Sequence, residues 1–120
     1  MKIFLVFIGG GFGSALRYLI SRYLHSTESA IPYGTFIVNI FGSLLIGVIL
    51  GLSFKNNFLS QNQTLLLATG FCGGFTTFSA FAFVNSTFIK NGDYVYFIAY
   101  TLASIILGVL AVFLGLFLVK

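Results

Sequence analysis

Acidic residues are nearly absent from this chain of 120 residues, which carries two carboxylate side chains against six lysines and arginines. Both acids, Glu28 and Asp93, fall in short polar segments between long apolar ones. Charged residues make up only 7% of the chain, whereas hydrophobic residues make up 58%. A water-soluble domain needs far more charge to cover its surface, so the composition indicates an integral membrane protein.

Reactive side chains are equally scarce. The single cysteine, Cys72, excludes a disulfide within the chain and is best read as a small packing residue. One histidine, one cysteine and no acid in an apolar segment cannot form a zinc site, a general-acid pair or a Ser/His/Asp set. The glycine-rich segment GGGFGSA, residues 9–15, lacks the G-x-G-x-x-G/A spacing of a dinucleotide site. We therefore do not expect an enzyme.

Polar residues divide the chain into four apolar segments, and a membrane-crossing helix needs about 20 such residues. The segments cover residues 3–24, 33–54, 64–89 and 94–119. We therefore expect an all-α membrane protein with four transmembrane helices in a single domain, residues 1–120. No small-residue cleavage site follows the first segment, so we expect a span there and not a signal peptide.

The basic residues lie near the ends of these segments, where they fit lipid headgroups better than nucleic acid. With four spans, Lys2, Lys55 and Lys120 fall on one side of the membrane, and Arg22 and Lys90 on the other. This near balance gives little information on orientation under the positive-inside rule. The chain is therefore compatible with insertion both ways as an antiparallel homodimer, or with one orientation set by other features.

Two rows of small residues at helical spacing suit close helix packing. Gly9 and Gly13 are four residues apart in the first span, and Gly47 and Gly51 repeat this spacing in the second. The sequence leaves open whether these rows pack within one chain or between two chains.

Hydrogen-bond donors, but no acids, lie inside the spans. The ionisable group deep in a span is Arg17, and Asn39 lies well inside the second span. Small multidrug exporters need a membrane-embedded glutamate to exchange protons for cations, and this chain has none. Donors without acids favour an anion pathway, to which Tyr100 and Ser104 would add a short hydroxyl stripe. The alternatives are that Arg17 extends to the headgroups and that Asn39 makes a hydrogen bond between helices.

The segment GFCGGFTTFSAF, residues 70–81, is unusual inside a membrane span. Gly70, Gly73 and Gly74 weaken helical backbone. Non-helical backbone survives at membrane depth only when it is buried in protein or lines water. We expect a break in the third helix here, with freed carbonyl groups that can bind a small cation.

Hydroxyl groups and aromatic rings follow this break. Thr76, Thr77 and Ser79 offer hydroxyls, and Phe78 and Phe81 lie on one face of the resumed helix. The edge of an aromatic ring is partly positive, so ring edges can face an anion without a formal charge. The alternative is that these phenylalanines only pack, since the chain has 16 of them.

Three motifs in order resemble those of the Fluc/CrcB family of small bacterial fluoride channels. They are GGGFGSALRY (9–18), GTFIVNIFGSLLIG (34–47) and GFCGGFTTFSAF (70–81). The resemblance covers the whole chain. It implies an antiparallel dual-topology dimer in the bacterial inner membrane, with two pores that conduct fluoride passively and protect the cell from it. It also allows a heterodimer with a paralogue, in which this chain is the non-conducting subunit.

The resemblance also assigns individual residues. Pore-lining or pore-proximal positions are matched by Asn39, Phe78, Phe81, Tyr100 and Ser104, with Arg17 near the vestibule and the hydroxyls of Thr77 and Ser79 close by. A sodium ion at the dimer interface would be held by the backbone carbonyls of Gly73 and Thr76. The hydroxyl track on the fourth span departs from the family pattern at Gly108 and Val112, where hydroxyl residues can occur.

Overall fold

The computed structural model describes residues 1–24, 32–55 and 59–120. Its helices are α1 (Lys2–Leu24), α2 (Tyr33–Phe54), α3 (Gln61–Thr64), a π-helix (Leu65–Cys72), α4 (Gly73–Phe75), α5 (Phe78–Lys90) and α6 (Tyr94–Leu118). Glu28 and most of the polar segment around it lie outside the described residues.

Four helical stretches are long and apolar enough to cross a membrane. They are Lys2–Leu24, Tyr33–Phe54, Gln61–Lys90 and Tyr94–Leu118. The prediction of an all-α protein with four membrane spans is confirmed for the described residues, which contain no strand. The third stretch begins before the predicted residue 64 because Ser60 and Gln63 form a capping box, with hydrogen bonds of 3.1 and 2.9 Å.

The third stretch changes its geometry along its length. Its α-helical start gives way to the π-helix Leu65–Cys72, whose hydrogen bonds span one more residue than those of an α-helix. Gly73 has φ −62° and ψ −38°, so its backbone is right-handed helical. Extended backbone occurs instead at Thr76 and Thr77, with ψ of 158° and 120°. The glycines expected to loosen this helix therefore lie within helical turns, and the helical backbone is interrupted at two threonines.

A tight turn joins α5 to α6. Gly92 has a positive φ of 76°, a conformation that glycine adopts without steric cost. The N–H of Asp93 reaches back to the carbonyl of Phe88 at 2.8 Å, and the N–H of Gly92 to that of Ile89 at 3.1 Å. This is the hydrogen-bond pattern of a Schellman motif, and it directs α6 back along α5.

Glycines bring α1 into direct backbone contact with the third stretch. A methyl group added to Gly9 would lie 3.1 Å from the Cα of Gly70, and one added to Gly13 would lie 2.9 Å from the amide nitrogen of Phe75. Distances this short leave no room for a side chain, so small residues are required on this face of α1.

The second row of small residues packs against α6. A methyl group on Gly47 would lie 3.1 Å from the Cα of Gly115, and one on Gly115 would lie 2.7 Å from the backbone nitrogen of Val48. Gly51 continues the contact against the side chain of Val119. Both glycine rows therefore pack within one chain, which answers the question that the sequence leaves open.

Replacing Gly115 with alanine should lower the free energy of unfolding by about 1–3 kcal/mol, the usual cost of forcing extra atoms into a packed interface. Gly108 on the same helix is the matched control, because a methyl group there meets only the hydroxyl of Ser43, at 3.7 Å. Gly108→Ala should be neutral or stabilising by up to about 1 kcal/mol, since alanine favours helix over glycine. Unfolding in detergent micelles measures both variants, and equal losses in the two would contradict this packing.

Candidate functional site

A groove of about 480 Å³ lies beside the interruption in the third stretch and is open on one side. Its walls come from α2, from the residues around the interruption and from α6. The predicted site residues among its walls are Asn39, Gly73, Thr76, Thr77, Phe78, Phe81 and Ser104. None of the lining residues carries a charge, so the polar groups that the groove offers are amide, hydroxyl and backbone groups.

Asn39 joins α2 to the interruption through two hydrogen bonds. Its Oδ1 accepts from the backbone N–H of Thr77 at 2.8 Å, and its Nδ2 donates to the backbone carbonyl of Thr77 at 3.1 Å. The side chain thus pairs with an extended residue much as a neighbouring strand would. These bonds matter because unpaired backbone groups are costly in an apolar environment. Asn39 therefore makes the hydrogen bond between helices, and one N–H of its amide is left unused by this pair.

Thr76 and Thr77 close the helix ends on the two sides of the interruption. The N–H and the hydroxyl of Thr76 both donate to the carbonyl of Cys72, at 3.0 and 2.9 Å. The hydroxyl of Thr77 accepts from the N–H of Ala80 at 3.2 Å and so caps α5. The hydroxyl of the exposed Ser79 lies 3.2 Å from the same Thr77 oxygen, so both predicted hydroxyls are engaged at the start of α5.

The carbonyl oxygens of Gly73 and Thr76, beside the interruption, are not paired with their usual helical donors, the N–H groups four residues later. The N–H of Thr77 is directed to Asn39, and that of Ala80 to the hydroxyl of Thr77. Both residues line the groove, and free carbonyl oxygens are the kind of ligand that hard cations prefer.

Three aromatic rings form a row from the open side of the groove toward the interior. The ring centroids of Phe78 and Phe81 are 5.9 Å apart, and those of Phe81 and Tyr100 are 5.3 Å apart. Phe78 is 78% exposed in the single chain, whereas Tyr100 is 8% exposed. Phe78 and Phe81 therefore contact each other and also line the groove.

The hydroxyls predicted on the fourth span are buried and lack partners. The hydroxyls of Tyr100 and Ser104 make no hydrogen bond within the described residues, and the same holds for the hydroxyl of Thr101 and the Oδ1 of Asn85. Buried polar groups normally have partners. Four such atoms on the adjacent helices α5 and α6 therefore mark a region that suits a polar ligand or water.

Arg17 lies outside the groove, on the α1 side of the third stretch. Its Nε donates to the carbonyl of Gly74 at 3.1 Å, and the hydroxyl of Ser14 donates to the same carbonyl at 3.3 Å. The side chain therefore reaches the last helical turn before the interruption.

Sequence reasoning misses two polar residues of this region. Ser43 lies in the groove wall, and its hydroxyl donates to the carbonyl of Asn39 at 2.8 Å. Asn85 is buried on α5 with 8% exposure. The signal for both is a polar side chain four residues after a predicted site residue, Asn39 or Phe81, because this spacing returns to the same helix face.

Comparison with known sequences relates these features to a family. A sequence profile described as CrcB-like protein, Camphor Resistance (CrcB), matches residues 4–116. The chain belongs to the CrcB family. The matched range includes the groove, the interruption and both glycine rows.

CrcB relatives similar to this chain along its full length are named fluoride-specific ion channel FluC. The relative from Gloeothece citriformis is 48% identical and covers 100% of this chain and 98% of its own length. Those from Azobacteroides pseudotrichonymphae and Bacteroides fragilis are each 47% identical and cover 95% of this chain and 92% of their own length. The resemblance inferred from three motifs is thereby confirmed.

Replacing Asn39 with alanine should destabilise the interruption, because the N–H and carbonyl of Thr77 would lose their partners. We expect a cost of about 1–3 kcal/mol for each buried group left unpaired and faster hydrogen exchange at the Thr77 amide. Ser43→Ala is the control, since it removes a bond within α2 and leaves both bonds to Thr77 intact. Unchanged exchange at Thr77 in the Asn39 variant would show that the pair does not hold the interruption.

Proposed function

We propose that this chain is a passive, fluoride-selective channel in the inner membrane of a bacterium. The observation that carries the proposal is the groove, where Asn39, Phe78, Phe81 and Ser104 meet without any acidic or basic side chain. The groove lies in a chain that is 48% identical to a protein named as a fluoride-specific ion channel. Such a channel would protect the cell, because hydrogen fluoride that diffuses in releases fluoride, which then leaves down its gradient. This role needs no catalytic group.

Selectivity would come from replacing the hydration water of a small, strongly hydrated anion with well-placed donors. The unused N–H of Asn39 and the hydroxyl of Ser104, which has no partner among the described residues, supply hydrogen bonds. The partly positive ring edges of Phe78 and Phe81 add attraction without a formal charge. Because no basic side chain lines the groove, the anion is not held too tightly to leave, as conduction requires.

Replacing Phe81 with isoleucine should slow fluoride efflux by about tenfold or more, the factor that corresponds to a loss of about 1.4 kcal/mol. The reason is the loss of the ring edge that faces the anion. A fluoride-selective electrode measures efflux from liposomes that hold only this chain. Phe83→Ile is the matched control, because Phe83 lies on the same helix, is 72% exposed and does not line the groove. Near-normal efflux from a folded Phe81 variant would remove this ring from the pathway.

An antiparallel dimer is part of the proposal, because a single chain leaves the groove open on one side with Phe78 78% exposed. The carbonyls of Gly73 and Thr76 support it as well. Hard cations are held by several oxygen ligands, and two carbonyls from one chain are too few to enclose a sodium ion. A second copy would double their number around a shared ion, whose charge would offset that of the anions near the middle of the membrane.

Dual topology predicts that one loop can be labelled from both sides of the membrane. Asn91 is exposed in the turn between α5 and α6. A Cys72→Ala background removes the native thiol, so that Asn91→Cys is the residue that an impermeant maleimide labels. Because the balanced charges allow insertion both ways, labelling in intact spheroplasts should reach about half the extent seen after permeabilisation. Adding Asp93→Lys makes this turn more positive, so outside labelling should fall. Labelling near zero or near completion without that change would contradict dual topology.

A non-conducting subunit of a heterodimer is the second candidate, favoured by the absence of hydroxyl groups at Gly108 and Val112 along α6. No acidic side chain lines the groove, so a proton-coupled cation exporter has no comparable support. Efflux from liposomes that hold only this chain separates the two candidates. Efflux that requires a co-reconstituted paralogue would favour the non-conducting subunit.

A further inference from the structure

Asn85 is a buried amide that the path through the groove does not use. It is 8% exposed, and its Oδ1 has no hydrogen-bond partner among the described residues. Leaving such a group unpaired in an apolar environment is costly. Costly polar groups inside membrane helices are usually retained because they serve a ligand or ion pathway. The amide oxygen therefore needs a hydrogen-bond partner that the described residues of the single chain do not provide.

Asn85 lies on the face of α5 whose neighbouring rings contact Tyr100 of α6. It shares one face of α5 with Phe81, four residues before it, and Phe88, three residues after it. Both rings contact the ring of Tyr100, with centroid distances of 5.3 and 6.0 Å. The amide is thus flanked by the two rings that touch Tyr100, whose own hydroxyl is buried and lacks a partner.

Hydrogen bonds fix the orientation of the Asn39 amide but not, within the described residues, that of the Asn85 amide. Asn39 is held at both ends by Thr77 and would lose two hydrogen bonds if its amide rotated. No hydrogen bond between described residues holds Asn85, so a half-turn of its amide exchanges Oδ1 and Nδ2 without breaking one. After that turn, an N–H donor occupies the position where the oxygen finds no partner. The same side chain can therefore accept from a water molecule or donate to an anion.

We propose that Asn85 and Tyr100 form a fluoride-binding step that continues the path from the groove beyond Phe81. This assignment rests on the proposed function, because it extends the same path. An anion that leaves the ring edge of Phe81 would next meet the N–H of Asn85, about 6 Å further along α5, and the O–H of Tyr100. The two donors replace water on a part of the path that Asn39 and Ser104 do not cover.

Asn85→Leu tests this step, because leucine is similar in size and has no donor. Fluoride efflux is measured from liposomes that each hold few channels. The final extent of efflux then gives the fraction of liposomes that contain a working channel, and the rate of efflux reports the flux through each channel. We expect Asn85→Leu to slow the rate by about tenfold or more, the factor expected for a lost hydrogen bond to a charged group, with unchanged extent. Asn85→Ser keeps one donor and should recover part of the rate.

Ser86→Ala is the matched control. Ser86 is the next residue of the same helix, is exposed, and donates its hydroxyl to the carbonyl of Phe83 at 2.7 Å. This variant should keep both rate and extent. A reduced extent with a normal rate in Asn85→Leu would assign Asn85 to folding and overturn the proposal, as would a normal rate and extent. No efflux from the unsubstituted chain would instead overturn the proposed function, and this step with it.

Discussion

Two hydrogen bonds between Asn39 and Thr77 are the interaction on which the membrane-embedded site depends. Extended backbone inside a bilayer requires another group to satisfy its N–H and carbonyl, and here one amide of α2 satisfies both. Because the N–H of Thr77 is directed to Asn39, the carbonyl of Gly73, four residues earlier, is released from helical pairing. One side chain therefore stabilises the interruption and also frees an oxygen in the groove wall.

Backbone contacts on both sides hold the interruption in place for Asn39. The glycine contacts of α1 with the third stretch lie on one side, and Gly47 and Gly115 join α2 to α6 on the other. Arg17 adds a hydrogen bond to the carbonyl of Gly74, in the last turn before the interruption. Apolar packing is not directional by itself, but contact between backbones fixes helix separation closely enough for a short amide side chain to reach its partner.

Properties set by local chemistry could be predicted from the sequence. Apolar run length predicts four spans, and glycine spacing predicts close helix contacts. Asn39 and Phe78 of the predicted site lie in one groove, whereas Arg17, Ser79 and Tyr100 are not part of its lining. The position of the interruption could not be predicted from intrinsic flexibility, because α1 packs against Gly70 and keeps it helical. Thr77 becomes extended through a partner 38 residues away. The burial of Asn85 likewise depends on where α6 packs, which no local pattern specifies.

The pairing of Asn39 with Thr77 also constrains the order in which the chain assembles in the membrane. A third span alone in the bilayer has no Asn39 beside it, so Thr77 can satisfy its backbone only as part of an unbroken helix. Thr77 can exchange its helical hydrogen bonds for those to the Asn39 amide only after α2 has docked. Insertion of the span and folding of the interruption are therefore two separate stages. An unassembled third span therefore enters the bilayer as an ordinary apolar helix. Its irregular backbone arises late, once α2 supplies the amide that pairs with Thr77.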